Sequence, residues 1–162
     1  MSRIQLRNAT PDDVALILGL IHELAVYEKL SDQAVATPED LTANLFGPRP
    51  FAEVLIGELD GEPQGFALFF PNFSTFLGKP GIYLEDLYVR EHARSSGLGK
   101  ALLARLAQLA VERGCGRLEW SVLDWNEPAL GFYRRLGARA QDDWTTYRLS
   151  GAALGELAKQ AE

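Results

Sequence analysis

The stretch IYLEDLYV at residues 82–89 leads into RSSGLG at residues 94–99. The first part is typical of a strand, because aliphatic and aromatic residues dominate it, and the second opens an apolar helix at Leu98. Glycines at a strand-to-helix turn let the backbone approach a ligand closely and leave N–H groups unpaired at the positive end of the helix. The sequence therefore predicts a turn that binds phosphate.

Two glycines alone are weak support for such a turn. The stretch lacks the G-x-x-x-x-G-K-[ST] pattern of a P-loop and the three glycines of a dinucleotide-binding turn. Arg94 and Lys100 flank it, which suits a pyrophosphate held mainly by backbone amides. The alternative is a tight turn whose glycines are incidental.

Patterns on either side predict the remaining elements. Thr10-Pro11 and Thr37-Pro38 each indicate the start of a helix, and Asp60-Gly61 indicates a hairpin. We expect residues 71–80 to form a loop, with aromatic side chains that either mark an interface or fold back on the sheet. A last strand is expected at residues 144–149, followed by a helix that Ser150 could cap.

The predicted order is β-α-α-β-β-β-α-β-α-β in one domain over residues 1–162. Such a mixed order indicates an α/β (α+β) fold with helices packed on a sheet.

The phase of the strand changes around two adjacent acids. Ile82 and Leu84 alternate with period two, but the next aliphatic side chains are Leu87 and Val89. A β-bulge at Glu85-Asp86 would restore the register and re-aim a side chain. The alternative is a strand buried on both faces, in which apolar residues need not alternate and the change has no structural meaning.

Composition narrows the possible partners. The net charge of −6 and pI of about 5.0 argue against nucleic acid and are compatible with a cationic substrate, or simply with an acidic surface. Cys115 is the single cysteine, so no internal disulfide forms, and with two histidines it predicts no metal site. No apolar run suits a membrane span, so we expect a cytoplasmic protein.

Four motifs together resemble the GNAT acyl-CoA N-acetyltransferases, and more specifically their diamine (spermidine/spermine) and thialysine acetyltransferases. They are YEKL from Tyr27, YLEDLYV from Tyr83, RSSGLG from Arg94 and WNEPALGFYRRLGA from Trp125. The resemblance implies the GNAT fold, with a central mixed, twisted sheet flanked by helices. It also implies acetyl-CoA as co-substrate, a small amine as acceptor, and a homodimer.

The resemblance also implies roles for particular residues. Tyr133 would be the general acid, with Glu85 as its catalytic partner. The co-substrate would contact Leu87, Tyr88, Val89, Arg94, Ser95, Ser96, Gly97, Leu98, Gly99, Lys100 and Asn126. The amine would lie against Tyr27, Glu28, Glu85 and Asp86. Two departures are Ser95, where many relatives carry glycine, and the short acidic connection at residues 141–143.

The chemistry of the two catalytic candidates can be judged from ordinary pKa values. A tyrosine with a pKa near 10 is protonated at neutral pH and can donate to a departing thiolate, whose acid has a pKa near 8.5. Helical spacing alone also fits a role for Tyr133 in the hydrophobic core. A glutamate with a pKa near 4.3 cannot easily take a proton from an ammonium group with a pKa near 10.4. Glu85 would therefore act through water or orient the amine, unless it is simply a partly exposed strand acid.

The sequence thus predicts direct acetyl transfer in a ternary complex to a diamine, polyamine or lysine-like amino acid. One rival is acetylation of protein or antibiotic amines. A second is a non-catalytic CoA-binding regulatory module.

Overall fold

The computed structural model describes residues 2–161, which fall into two units that meet in sequence at Leu123 and Asp124. The first unit contains β1 Ile4–Asn8, α1 Val14–Tyr27, α2 Pro38–Phe46, β2 Glu53–Leu59, β3 Glu62–Ser74, β4 Lys79–Val89, α3 Leu98–Glu112 and β5 Leu118–Trp120. The second contains α4 Glu127–Arg135 and α5 Gly151–Ala158. The expectation of one domain over residues 1–162 stays a prediction.

The first unit is built on a five-stranded sheet in the order β1-β2-β3-β4-β5. The first three pairings are antiparallel, and β5 pairs with β4 in parallel. The parallel pairing requires a crossover, which α3 supplies between β4 and β5. The predicted fold class, a mixed sheet flanked by helices, is confirmed.

Helices cover both faces of the sheet. Val54, Ile56 and Phe66 share one face and form a core with the buried side of α1. Gly57 lies on the opposite face under α3, where a Cβ would come within 2.8 Å of Leu98 Cδ1. The missing side chain at Gly57 therefore lets the start of α3 approach the sheet closely.

Both predicted helix starts are present. Asp13 accepts a hydrogen bond from the Thr10 N–H at 2.8 Å, and a short 3-10 turn leads into α1. At α2, Thr37 and Asp40 bond each other reciprocally at 2.9 and 3.1 Å. Asp13 also receives two bonds from the Arg7 guanidinium, at 2.7 and 2.9 Å, which hold its pKa below the ordinary value. The ion pair ties β1 to the start of α1.

The hairpin predicted at Asp60-Gly61 is confirmed, since both residues have the positive φ angles, 52° and 85°, that tight turns between strands use. The loop predicted over residues 71–80 is largely wrong. β3 and β4 stay paired up to Ser74 and Lys79, so only residues 75–78 turn. The pairing of β3 with β4 extends past the ends of β2 and β5. Gly78, with φ of 64°, lies in the tight turn that joins the two strands.

The second unit lacks the predicted last strand. Residues 144–149 are not in a strand, and Trp144 and Tyr147 are 79% and 93% exposed. β-branched and aromatic residues favour a strand only where a neighbouring strand supplies hydrogen bonds, and the second unit, as far as residue 161, contains no other strand. α5 begins after Ser150, as expected.

Among the helices of residues 2–161, none is long and apolar enough to cross a membrane.

Candidate active site

The predicted bulge lies in the middle of β4. Leu68 of β3 is opposite Asp86, but the next residue, Phe69, is opposite Leu84. Glu85 is therefore the extra residue, and its side chain is exposed. The bulge is confirmed, and the alternative of a strand buried on both faces is wrong.

The bulge assigns the neighbouring side chains to faces. Leu84 and Leu87 both lie on the α3 face, although they are three residues apart, because Glu85 adds one residue to the strand. Asp86 and Tyr88 lie on the opposite face, which α1 covers. Asp86 is thereby turned toward the helix that ends at Tyr27.

Beyond the bulge β4 is open along one side. β5 pairs with Ile82–Leu84 only, and no strand of residues 2–161 pairs with residues 85–89 on that side. The Arg90 N–H donates to the Gln64 carbonyl at 2.8 Å, so by antiparallel alternation the backbone groups of Leu87 and Val89 point away from β3. The open half thus presents strand-like donors and acceptors without a strand to pair with.

The turn after β4 has the geometry of an anion-binding nest. Ser95 and Gly97 have φ angles of 67° and 91°, in the left-handed region. A side chain at such a φ is strained, so the backbone at Ser95 would suit the glycine that the family resemblance implies at this position. When residues with right-handed and left-handed backbone angles alternate, their successive N–H groups point into one concavity.

The N–H groups of this turn are largely unused. Within residues 2–161, those of residues 95–97 and 99–100 have no hydrogen-bond acceptor, whereas the Leu98 N–H donates to Ser96 Oγ at 3.2 Å. The Leu98 side chain is buried in the core, so only its backbone belongs to the turn. The Lys100 side chain is exposed beside it. The predicted turn therefore has N–H groups without acceptors and two flanking cations, Arg94 and Lys100.

Arg94 lies where the turn, β4 and α1 meet. Its Nε donates to the Val89 carbonyl at 3.0 Å. Its guanidinium carbon lies 4.7 Å from the ring centre of Tyr27 and 5.8 Å from that of Tyr88. Arg94 thus joins a residue predicted for the amine to residues predicted for the co-substrate.

Glu23 and Arg90 hold this region together, and no sequence pattern indicated either residue. The Arg90 guanidinium donates to both Glu23 oxygens at 3.0–3.2 Å, and the Tyr88 hydroxyl lies 3.4 Å from the same carboxylate. Burial and the Glu23 charge raise the pKa of Tyr88. The pair joins residues 67 apart in sequence, a separation that no local pattern reveals.

The acids predicted to bind the amine influence one another's charge. Burial, reinforced by the charges of Glu85 and then Glu28, raises the pKa of Asp86 to about 6. Burial also raises the pKa of Glu28. Glu85 and Asp86 are adjacent in β4, and Glu28 follows α1, the helix that covers the Asp86 face of the sheet; we call these three residues the acidic cluster. A cation would relieve this repulsion.

Asn126 and Tyr133 belong to the second unit. Asn126 is buried and caps α4, accepting a hydrogen bond from the Ala129 N–H at 3.4 Å. Tyr133 is half-buried on α4, with its ring centre 5.6 Å from that of Phe132. The co-substrate contact of Asn126 and the catalytic role of Tyr133 stay predictions.

No group of three or more His, Cys, Asp or Glu residues within residues 2–161 is arranged to hold a metal ion.

Comparison with known proteins identifies the class that this fold and site define. The acetyltransferase (GNAT) family matches residues 22–138, and the chain belongs to this family. Thialysine N-epsilon-acetyltransferase of Bos taurus is 40% identical over 169 residues, covering 98% of this chain and 99% of its own. L-ornithine N5-acetyltransferase of Arabidopsis thaliana is 37% identical, covering 98% and 88%.

Solved structures agree with the fold. An integron cassette protein from the mobile metagenome of V. cholerae superposes with a TM-score of 0.81 at 27% identity, over 97% of this chain and 98% of its own. The resemblance to thialysine and diamine acetyltransferases is thereby confirmed, and the protein is an N-acetyltransferase.

Proposed function

We propose that the protein transfers the acetyl group of acetyl-CoA to a primary amine of a small diamine, polyamine or lysine-like amino acid. The observation that carries this proposal is the acidic cluster of Glu28, Glu85 and Asp86 beside the open half of β4. A second positive charge on the acceptor finds partners there. Relatives named for thialysine and ornithine, both of which carry two amines, support this substrate class.

The open half of β4 suits the amide-bearing pantetheine arm. The Leu87 N–H and carbonyl, with the Val89 N–H, can pair with it as a strand would, while the half-buried Tyr88 keeps the strand fixed to α1. The pyrophosphate then lies on the turn at residues 95–100, whose N–H groups, apart from that of Leu98, have no acceptor within residues 2–161. Asn126 is proposed to contact the same co-substrate.

Direct transfer needs one bond made and one broken. A neutral amine nitrogen attacks the thioester carbonyl, the new C–N bond forms, and the C–S bond breaks to give a thiolate. Tyr133 donates its phenolic proton as the C–S bond breaks and is left as a tyrosinate. Because the pKa of tyrosine, near 10, lies above that of the thiol, near 8.5, this tyrosinate readily takes up a proton again. The proton lost by the amine passes to solvent through water oriented by Glu85, which is exposed, and solvent returns a proton to Tyr133.

An acceptor screen tests the substrate class. Release of CoA thiol is measured with thialysine, ornithine, 1,4-diaminobutane and the monoamine butylamine. We expect kcat/KM to be higher for the three diamines, and the Glu28→Gln variant to narrow the difference by about two- to tenfold, the worth of a partly exposed ion pair. Glu39→Gln, a change at an exposed acid in α2, is the matched control.

Equal kcat/KM for butylamine and the diamines would remove the polyamine-like proposal and leave a general N-acetyltransferase. Absence of thiol release with every amine tested would favour the regulatory CoA-binding module instead.

Tyr133→Phe tests the proton donor, since it keeps the ring and deletes the hydroxyl. We expect kcat to fall by about 10²–10⁴, the usual contribution of general acid catalysis, with the melting temperature nearly unchanged. Tyr147→Phe is the control, because that side chain is 93% exposed in the same unit. Wild-type turnover by Tyr133→Phe would return Tyr133 to a packing role.

We also propose a cytoplasmic homodimer. Phe73 and Phe76 at the end of the β3–β4 hairpin are 61% and 98% exposed, and aromatic side chains on a hairpin tip gain from being covered. Light scattering at micromolar concentration should give twice the chain mass. A monomer with full activity would contradict the dimer.

A further inference from the structure

The contacts of Arg94 span two subsites. Its Nε is bonded to the Val89 carbonyl at 3.0 Å, on the open side of β4, and its guanidinium carbon lies 4.7 Å from the ring centre of Tyr27. Tyr27 is the last residue of α1 and precedes Glu28 of the acidic cluster. The same guanidinium therefore touches the strand proposed for pantetheine and the residue next to an acid proposed for the amine.

The surroundings hold the two subsites at a fixed separation. Glu23, one turn before Tyr27 on α1, is bound by Arg90 at the end of β4 through hydrogen bonds of 3.0–3.2 Å. Arg94 follows four residues later and is exposed. Arg90 donates to the Glu23 carboxylate, whereas no acceptor within residues 2–161 bonds to the terminal nitrogens of Arg94.

We propose that Arg94 is a positioning residue that couples the acetyl-CoA subsite to the amine subsite through its contacts with Val89 and Tyr27. The inference rests on the proposed function and goes beyond it. Phosphate bound at residues 95–100 would use the terminal nitrogens of Arg94 while Nε stays on Val89. The guanidinium is then restrained over the Tyr27 ring, which fixes the last turn of α1 and with it Glu28.

Positioning of this kind requires a planar guanidinium rather than a charge alone. Arginine stacks on an aromatic ring and donates from several nitrogens at once, which lysine cannot reproduce. It also requires reciprocity, because two ligands coupled through one group change each other's affinity by the same factor.

Calorimetry tests the coupling with CoA and thialysine, which form a complex without acetyl transfer. The Kd of thialysine is measured with and without saturating CoA, and the Kd of CoA with and without thialysine. For the wild type we expect both affinities to tighten by one common factor, between about 5 and 150, the usual range for coupled sites. In Arg94→Lys and in Tyr27→Leu the factor should fall toward one.

Two controls separate coupling from simple binding. Tyr27→Phe keeps the ring under Arg94 and should retain the wild-type factor. Lys100→Gln removes a cation beside the turn and should weaken CoA binding while leaving the factor unchanged. Arg94→Lys and Tyr27→Leu must both keep the wild-type melting transition. Because they then change opposite partners of one contact, a loss of the factor in both assigns the coupling to that contact.

The outcomes are distinguishable. A wild-type factor of one in a protein that acetylates thialysine overturns the coupling and leaves the proposed function standing. A factor retained in both Arg94→Lys and Tyr27→Leu also overturns it, even where CoA binds more weakly. A wild type that neither binds CoA nor acetylates any amine overturns the proposed function and this inference together.

Discussion

The two halves of β4 belong to one strand and share one antiparallel neighbour, yet they differ in pairing. At Ile82–Leu84 the strand is paired on both sides, and Ile82 and Leu84 are 1% and 2% exposed. At residues 85–89 it is paired on one side only, and its side chains are half-buried or exposed. The difference begins at the bulged residue, Glu85.

The contrast shows how a sheet can hold a ligand without losing its core. Where β5 stops, backbone groups of β4 are left without partners, which is costly unless water or a ligand satisfies them. The closed half supplies the packing that keeps the open half in place. If this division is correct, equivalent changes in the two halves should have different consequences.

The largest expected effect separates the two halves by stability. Leu84→Ala should lower the free energy of unfolding by about 2–5 kcal/mol, as for other fully buried leucines. Leu87→Ala, on the same face but half-buried, should lower it by about 1 kcal/mol. Urea denaturation of both variants provides the measurement. Equal losses would mean that the open half is as much a part of the core as the closed half.

A proline pair tests the direction of the backbone groups. The backbone N–H of Tyr88 points to β3. Tyr88→Pro should therefore leave a carbonyl of β3 unpaired and lower the free energy of unfolding by about 1–3 kcal/mol. Leu87→Pro removes an N–H that points to the open side. It should cost less stability and raise the Kd of CoA about tenfold, equivalent to about 1.4 kcal/mol.

Denaturation and calorimetry on the two proline variants give the result. CoA affinity unchanged in a folded Leu87→Pro variant would place the pantetheine arm elsewhere.

The smallest expected effect is a pH dependence of amine binding. Asp86 has a pKa of about 6, raised by burial and the neighbouring acids, so it loses its negative charge as the pH falls through that value. The Kd of 1,4-diaminobutane in the presence of CoA should therefore rise below pH 6, by at most about tenfold per pH unit. Calorimetry from pH 5 to 8 measures it, and Asp86→Asn should abolish the dependence. The same rise in the Asp86→Asn variant would assign the titration to another group.

The same shift has a consequence for folding. Because the folded state holds the Asp86 proton up to about pH 6 and the unfolded state releases it near 3.8, Asp86 favours folding most at low pH. That contribution is lost as the pH rises from about 4 to 6. At neutral pH the acidic cluster therefore costs stability, which a bound cation would restore.

The sequence determined the parts of this protein that depend on local patterns. Both Thr-Pro helix starts, the Asp60-Gly61 hairpin and the apolar helix after Leu98 follow from residues close together in the chain. The change of phase around Glu85-Asp86 indicated a bulge but left a strand buried on both faces as an alternative, and the register of β3 and β4 decided between them. The four motifs from Tyr27 to Trp125 were enough to identify the family. Each of these signals lies within one turn or one strand, where spacing alone fixes which side chains meet.

Tertiary structure decided what depends on distant partners. Whether residues 71–80 and 144–149 form strands is set by the availability of a neighbouring strand rather than by propensity, and the sequence was wrong about both. The Glu23–Arg90 pair, the contact of Arg94 with Tyr27 and the raised pKa of Asp86 arise only when α1 packs on β4. Burial and charge act through space, and the order of residues along the chain does not record those distances.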